Sequence, residues 1–200
     1  CAGLHSDIRV MPARLDPRQW SGLNTLRGTG DKMRVGWIGS AADVGDLEII
    51  HKLVGQLADR VEWVFYGYCP PSLRPLMTEY HVAVQPTHFA QKLASLNLDL
   101  ALLPMADNLW NRTLSPRRVL EYGACGVPVI CSDIVATGNF AAITRVGNKP
   151  KLWREAIENH LHDRPASAAL GDALKAQVLA QGFWDEETVL QQARIWLPDA

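Results

Sequence analysis

DLALLPMADNLWNRTLSPRRVLEYGACGVPVICSD, residues 99–133, is a strand, a loop, a helix and a second strand. Residues 99–103 are almost wholly apolar and stop at Pro104; residues 128–131 are apolar again. Strands without polar alternation are buried on both faces, as in a parallel sheet sandwiched between helices. Between them, Ser115-Pro116 signals a helix start, with Ser favoured as N-cap and Pro suited to the first helical position, so a helix is expected over 116–124. A strand, a helix and a parallel strand joined by a right-handed crossover form the unit of a doubly wound fold.

Working outward, the same alternation recurs. Residues 33–38 form a strand that ends in Gly39-Ser40. Asp46 is suited to cap a helix over 47–59, in which Leu47, Ile49, Ile50, Leu53, Val54 and Leu57 recur at helical spacing. Further strands are expected at 61–66, 81–85 and, more weakly, 142–146, with helices near 72–79, 88–96, 150–162, 166–181 and 185–197. The fold class is therefore α/β, a Rossmann-like, doubly wound parallel sheet over residues 31–182. Residues 1–30 differ: one short strand at 8–12, the turn Asp16-Pro17 and then Gly22, Gly28 and Gly30 make them a linker from something preceding the domain.

Composition narrows the function classes. The 200 residues are 48% hydrophobic and 20% charged, with formal net charge −1, so general attraction to nucleic acid or an anionic membrane is disfavoured. No apolar stretch approaches the roughly 20 residues of a transmembrane segment. Cys1, Cys69, Cys125 and Cys131 lack the paired spacing of a disulfide framework or a zinc ribbon and read as buried, reduced thiols, which places the protein in the cytoplasm. Cys1-Ala2-Gly3 carries no secretory signal and reads as the interior of a longer protein. His160, His162 and Asp163 fall on a polar helix end and read as a solvated terminus, so no metal site is expected there.

In an open parallel sheet, ligands bind beyond the carboxyl ends of the strands. Gly39 and Ser40 reach that edge, as an ordinary turn or as a place where a ligand nears the backbone. The helix opening at Ser115 and Pro116 reaches it too, with Arg112, Arg117 and Arg118 around its positive end. A helix dipole is worth roughly 0.3–1 kcal/mol to an anion and each charge-assisted hydrogen bond about 1.5–3 kcal/mol, enough to anchor a diphosphate. Glu121, further into the helix, is placed either to take ribose hydroxyls or to pair with Arg117 or Arg118. Gly36-x-x-Gly39 is not a dinucleotide-binding turn, and no acidic residue closes the second strand.

Asn111, Ser115, Arg118, Glu121, Tyr122, Gly126, Pro128, Val129 and Ser132-Asp133 resemble the donor-binding segment of GT-B glycosyltransferases of the group 1, family 4-like type. Gly39-Ser40 with Asp46-Leu47 is similar to that family's first glycine loop and helix, and Trp184 with the helix from Asp185 to its closing helix. The resemblance implies the C-terminal half of a GT-B fold, with residues 183–200 crossing back towards an N-terminal acceptor-binding domain. It implies a transferase moving a sugar from a nucleotide diphosphate sugar to an acceptor hydroxyl, with no cofactor. Ser115, Pro116, Arg117 and Arg118 would hold the diphosphate, with Asn111 beside them, and Glu121 would take the ribose. Gly39 and Ser40 would lie near the phosphates and sugar, and Thr87, His88 and Phe89 near the base. Thr113, Leu114 and Asp43 depart from the pattern, standing where members often carry a glutamate, a lysine and a histidine. A catalytically inactive nucleotide-sugar-binding module and an unrelated Rossmann-like redox or epimerase domain are the alternatives.

Overall fold

The computed structural model describes residues 8–197. Among them, six strands form one parallel sheet: β1 (Met33–Gly39), β2 (Val61–Gly67), β3 (Glu79–Val82), β4 (Leu100–Leu103), β5 (Val129–Ser132) and β6 (Thr144–Val146). Their order is β3-β2-β1-β4-β5-β6. The chain winds outward from β1 in one direction, then returns to its other side through β4, so the crossovers diverge between these two strands.

The helices are α1 (Pro17–Trp20), α2 (Val44–Leu47), α3 (His51–Gln56), α4 (Pro86–Ser95), α5 (Leu109–Arg112), α6 (Arg117–Ala124), α7 (Pro150–His162), α8 (Arg164–Gln181) and α9 (Glu186–Trp196). Strand residues alternate between two buried layers. Val35, Trp37, Trp63 and Phe65 face Leu53, Val54 and Leu57 of the α3 region, together with Trp153 and Ile157 of α7. Ile38, Val64 and Tyr66 face Leu93 of α4, Val119 and Leu120 of α6, and Leu174 and Val178 of α8. Burial on both faces is the physical reason β1, β2, β4 and β5 are largely apolar, whereas the edge strands β3 and β6 are polar and half-buried.

Several local expectations are corrected. No single helix spans 47–59: a 3-10 turn (Ala41–Asp43), α2 and α3 replace it, and Asp46 lies inside α2. Ser40 caps the 3-10 turn instead, accepting from the Ala42 amide while Asp43 accepts from the Ser40 amide. The helix near 72–79 shrinks to a 3-10 turn, Arg74–Leu76, with Pro75 inside it. Residues 8–12 form no strand, and Val10 is 86% exposed with nothing to pair against.

Residues 15–20 behave as core, not linker. Leu15 bridges to Phe183, its amide donating to the Gly182 carbonyl at 2.8 Å and its carbonyl accepting from the Trp184 amide at 3.0 Å. Trp20 is buried against Phe89, ring centroids 5.9 Å apart. His160 is not solvated either: it is buried, with Nε2 2.9 Å from Thr144 Oγ1 and Nδ1 2.6 Å from Ser167 Oγ, while His162 is exposed. Cys69, Cys125 and Cys131 are buried and unpaired, and burial pushes the Cys125 and Cys131 thiols up to about 12 and about 11. Among the described residues no helix is long and apolar enough to cross a membrane.

Candidate functional site

A crevice of about 310 Å³ opens at the carboxyl ends of β1 and β4, where the crossovers diverge. It is lined by Ile38 of β1, by Leu103 at the end of β4 with Pro104 and Met105, by Leu114, Ser115, Pro116, Arg117, Arg118 and Glu121 around the start of α6, and by Asp43 and Asp46 after β1. A larger hollow of about 560 Å³ runs along β6 between α7 and α8. It lies away from the junction of β1 and β4, so the smaller crevice is the candidate site.

Two polar clamps set the floor. Met105 donates its amide to Ser132 Oγ at 2.8 Å, Ser132 donates to Asn148 Oδ1 at 2.6 Å, and Asn148 Nδ2 returns to the Met105 carbonyl at 2.8 Å. Asp46 Oδ1 accepts from the Ala106 amide and from Asn111 Nδ2, both at 2.7 Å. Asn111, expected near the ligand, is buried and does not line the crevice. Its amide nitrogen is shared between Asp46 and the Ala106 carbonyl, so it fastens α5 to the first loop.

The opening of α6 lies in the wall. Helix geometry begins at Arg117; Pro116 occupies the capping position, and no side chain caps the helix. Ser115 is exposed and does not serve as the cap expected of it, because the backbone turns into the helix one residue later. The first-turn amides therefore keep their donor capacity for an outside acceptor. Arg112 does not join this group. Its guanidinium holds Asp107 at 2.6 and 2.8 Å on the surface, and that hydrogen bonding keeps the Asp107 carboxyl below its usual range.

Glu121 is only 5% exposed, yet both of its oxygens are held: Arg117 Nε donates to Oε1 at 2.9 Å and Arg118 Nη1 to Oε2 at 2.7 Å. The intrahelical pairing is thus present, with a buried carboxylate that carries two charge-assisted bonds and with Arg117 exposed to solvent. Arg118 also lies over the Phe89 ring at 5.4 Å, and Phe89 stacks on Tyr66 with centroids 5.4 Å apart. Thr87 and His88, at the start of α4, are exposed beside that aromatic pair. The two chain segments far apart in sequence therefore meet through Arg118.

Gly39 and Ser40 are placed differently from expectation. A Cβ on Gly39 would lie 2.3 Å from the Trp37 ring, so the missing side chain makes room for the indole and not for a ligand. Ser40 is exposed; its hydroxyl donates to Asp43 Oδ2 at 2.8 Å. Asp43 and Asp46 line the crevice, although the sequence reading takes Asp43 as a departure from the family pattern and Asp46 as a helix cap and assigns neither to the site. Asp46 resembled a helix cap, and its partners lie 60 and 65 positions away, beyond any local pattern.

Fold and crevice together define a doubly wound α/β domain with a crevice at the sheet's switch point. No family model and no curated protein matches the sequence. Solved structures do. HepE from Anabaena, in complex with UDP and glucose, superposes with TM-score 0.68 over 96% of this chain and 57% of that one, at 14% identity. Sucrose-phosphate synthase from Thermosynechococcus elongatus gives TM-score 0.68 over 94% of this chain and 51% of that one, at 16% identity. The C-terminal domain of the group 1 glycosyl transferase LpcC from Francisella tularensis gives TM-score 0.58 over 88% and 96%, at 13% identity. The chain thus spans little more than half of the first two proteins and nearly all of the isolated C-terminal domain. Its fold is that of the C-terminal domain of a GT-B glycosyltransferase.

Proposed function

We propose that this chain is the donor-binding half of a glycosyltransferase and holds a nucleotide diphosphate sugar in the crevice between β1 and β4. One observation carries the reading: the uncapped start of α6 opens into that crevice with Arg117 and Arg118, above the buried carboxylate of Glu121. The α6 amides and the two guanidinium groups take the diphosphate, Glu121 accepts from the ribose hydroxyls, and the Phe89 region lies beside the base. As the bond from the sugar to the diphosphate breaks, negative charge grows on the departing oxygen, and the same helix end and arginines stabilise it. The acceptor and the group that deprotonates it belong to a preceding N-terminal domain, which α9 would cross back to meet. The UDP bound in the HepE structure supports this nucleotide class.

Titration calorimetry with UDP, GDP and ADP tests the reading. One of the three binds in the millimolar-to-micromolar range, about −4 to −8 kcal/mol. Absence of heat from all three at millimolar concentration overturns it. A second reading, a nucleotide-sugar-binding module without transfer activity, is favoured by Leu114, an apolar side chain in the crevice wall where a cation would help the leaving group. Donor hydrolysis or transfer by the complete protein excludes that module; intact binding with neither activity establishes it.

A further inference from the structure

We infer that Asp43 and Asp46 restrict the donor to one whose transferred sugar is uncharged or cationic and excludes uronic and other acidic sugars; this rests on the donor-site reading above. The crevice carries both signs of charge. Arg117, Arg118 and Glu121 line it from α6, and the carboxylates of Asp43 and Asp46 line it from the segment after β1. Each carboxylate is fixed through a single oxygen. Asp43 Oδ2 accepts from the Ser40 amide at 2.6 Å and the Ser40 hydroxyl at 2.8 Å, and Asp46 Oδ1 accepts from Ala106 and Asn111. Among the described residues, Asp43 Oδ1 and Asp46 Oδ2 take no hydrogen bond.

A diphosphate drawn to the two arginines and the start of α6 leaves the group attached to it beside the two aspartates. Sugar hydroxyls or an ammonium donate to the two open carboxylate oxygens. A sugar carboxylate cannot donate, and beside Asp43 and Asp46 it meets two fixed like charges. Discrimination of this kind comes from repulsion of the wrong ligand as much as from attraction of the right one. Asp43 is held by its own capping turn and Asp46 by the clamp to Asn111, so neither side chain can swing away without breaking two hydrogen bonds.

The experiment starts from whichever nucleoside diphosphate binds and compares its hexose and hexuronate conjugates by calorimetry. The pairs are UDP-glucose with UDP-glucuronate, GDP-mannose with GDP-mannuronate, and ADP-glucose with ADP-glucuronate. The hexose conjugate is expected to bind at least tenfold more tightly than the hexuronate. In Asp43→Asn, which keeps an acceptor for the Ser40 amide, the gap narrows at least threefold through tighter hexuronate binding. Asp46→Asn serves as the second variant and gives the same narrowing. Equal affinity for the two conjugates in the unaltered chain overturns the inference while leaving donor binding intact. A gap undiminished in both variants, each melting like the parent, overturns the role of these carboxylates. Failure of every diphosphate to bind removes the donor-site reading itself.

Discussion

Glu121 shows how a buried charge is tolerated when its chemistry is complete. Both oxygens are occupied by guanidinium groups on its own helix, one three and one four residues back. Replacing it with Ala leaves Arg117 and Arg118 free to relax into solvent but removes the acceptor at the crevice wall. Affinity for the bound nucleoside diphosphate should fall by about 1–3 kcal/mol, the cost of losing charge-assisted bonds. Calorimetry showing unchanged affinity removes the ribose assignment. His160 makes a separate prediction. Burial lowers its pKa, so the folded state binds its proton less readily than the unfolded one. Its contribution to stability is therefore present above the unfolded value of roughly 6.5 and is lost as pH falls through the lower folded value. Thermal melts between pH 8 and pH 5 should show a steeper decline for the parent than for His160→Gln, and identical slopes would refute this.

At the scale of elements, α6 is aligned by its packing on α8. A Cβ at Gly123 would lie 2.7 Å from Val178 Cγ2 and 2.9 Å from Leu174 Cγ, so the two helices approach as closely as a glycine allows. Gly123→Val should cost about 1–3 kcal/mol in urea unfolding, because overpacking forces the helices apart. Nucleotide affinity should weaken with it, since α6 carries the crevice wall. The central strands were legible because double-faced burial writes a continuous apolar run, as in residues 63–66 and Leu100–Leu103. So was the helix start near Ser115-Pro116, although Ser115 does not cap it and the helix begins at Arg117. The segment after β1 was not. Its helical spacing is real, but the Asp46 carboxylate is drawn to Ala106 and Asn111, and the helix breaks between Leu47 and His51. Residues 15–20 looked like linker because their partners, Phe89 and Phe183, are distant in sequence.

At the scale of the molecule, the crevice sits at the carboxyl edge of a sheet whose strands β1, β2, β4 and β5 are largely buried on both faces. This chain alone should bind a nucleotide diphosphate sugar without transferring the sugar, since in the function proposed above the acceptor and the group that deprotonates it belong to the N-terminal domain. Sugar transfer by the isolated chain, followed with a radiolabelled donor, would contradict that assignment.

The stitching of Met105 to Ser132 and Asn148, and of Asp46 to Ala106 and Asn111, bears on timing. Three loops are joined beneath the opening by bonds that involve no visitor, so the floor is set before encounter. Rigidity of that kind lowers the entropic toll of capture and leaves no slow rearrangement to await. In stopped-flow mixing, the observed rate should climb in direct proportion to ligand concentration, as a single phase without a plateau.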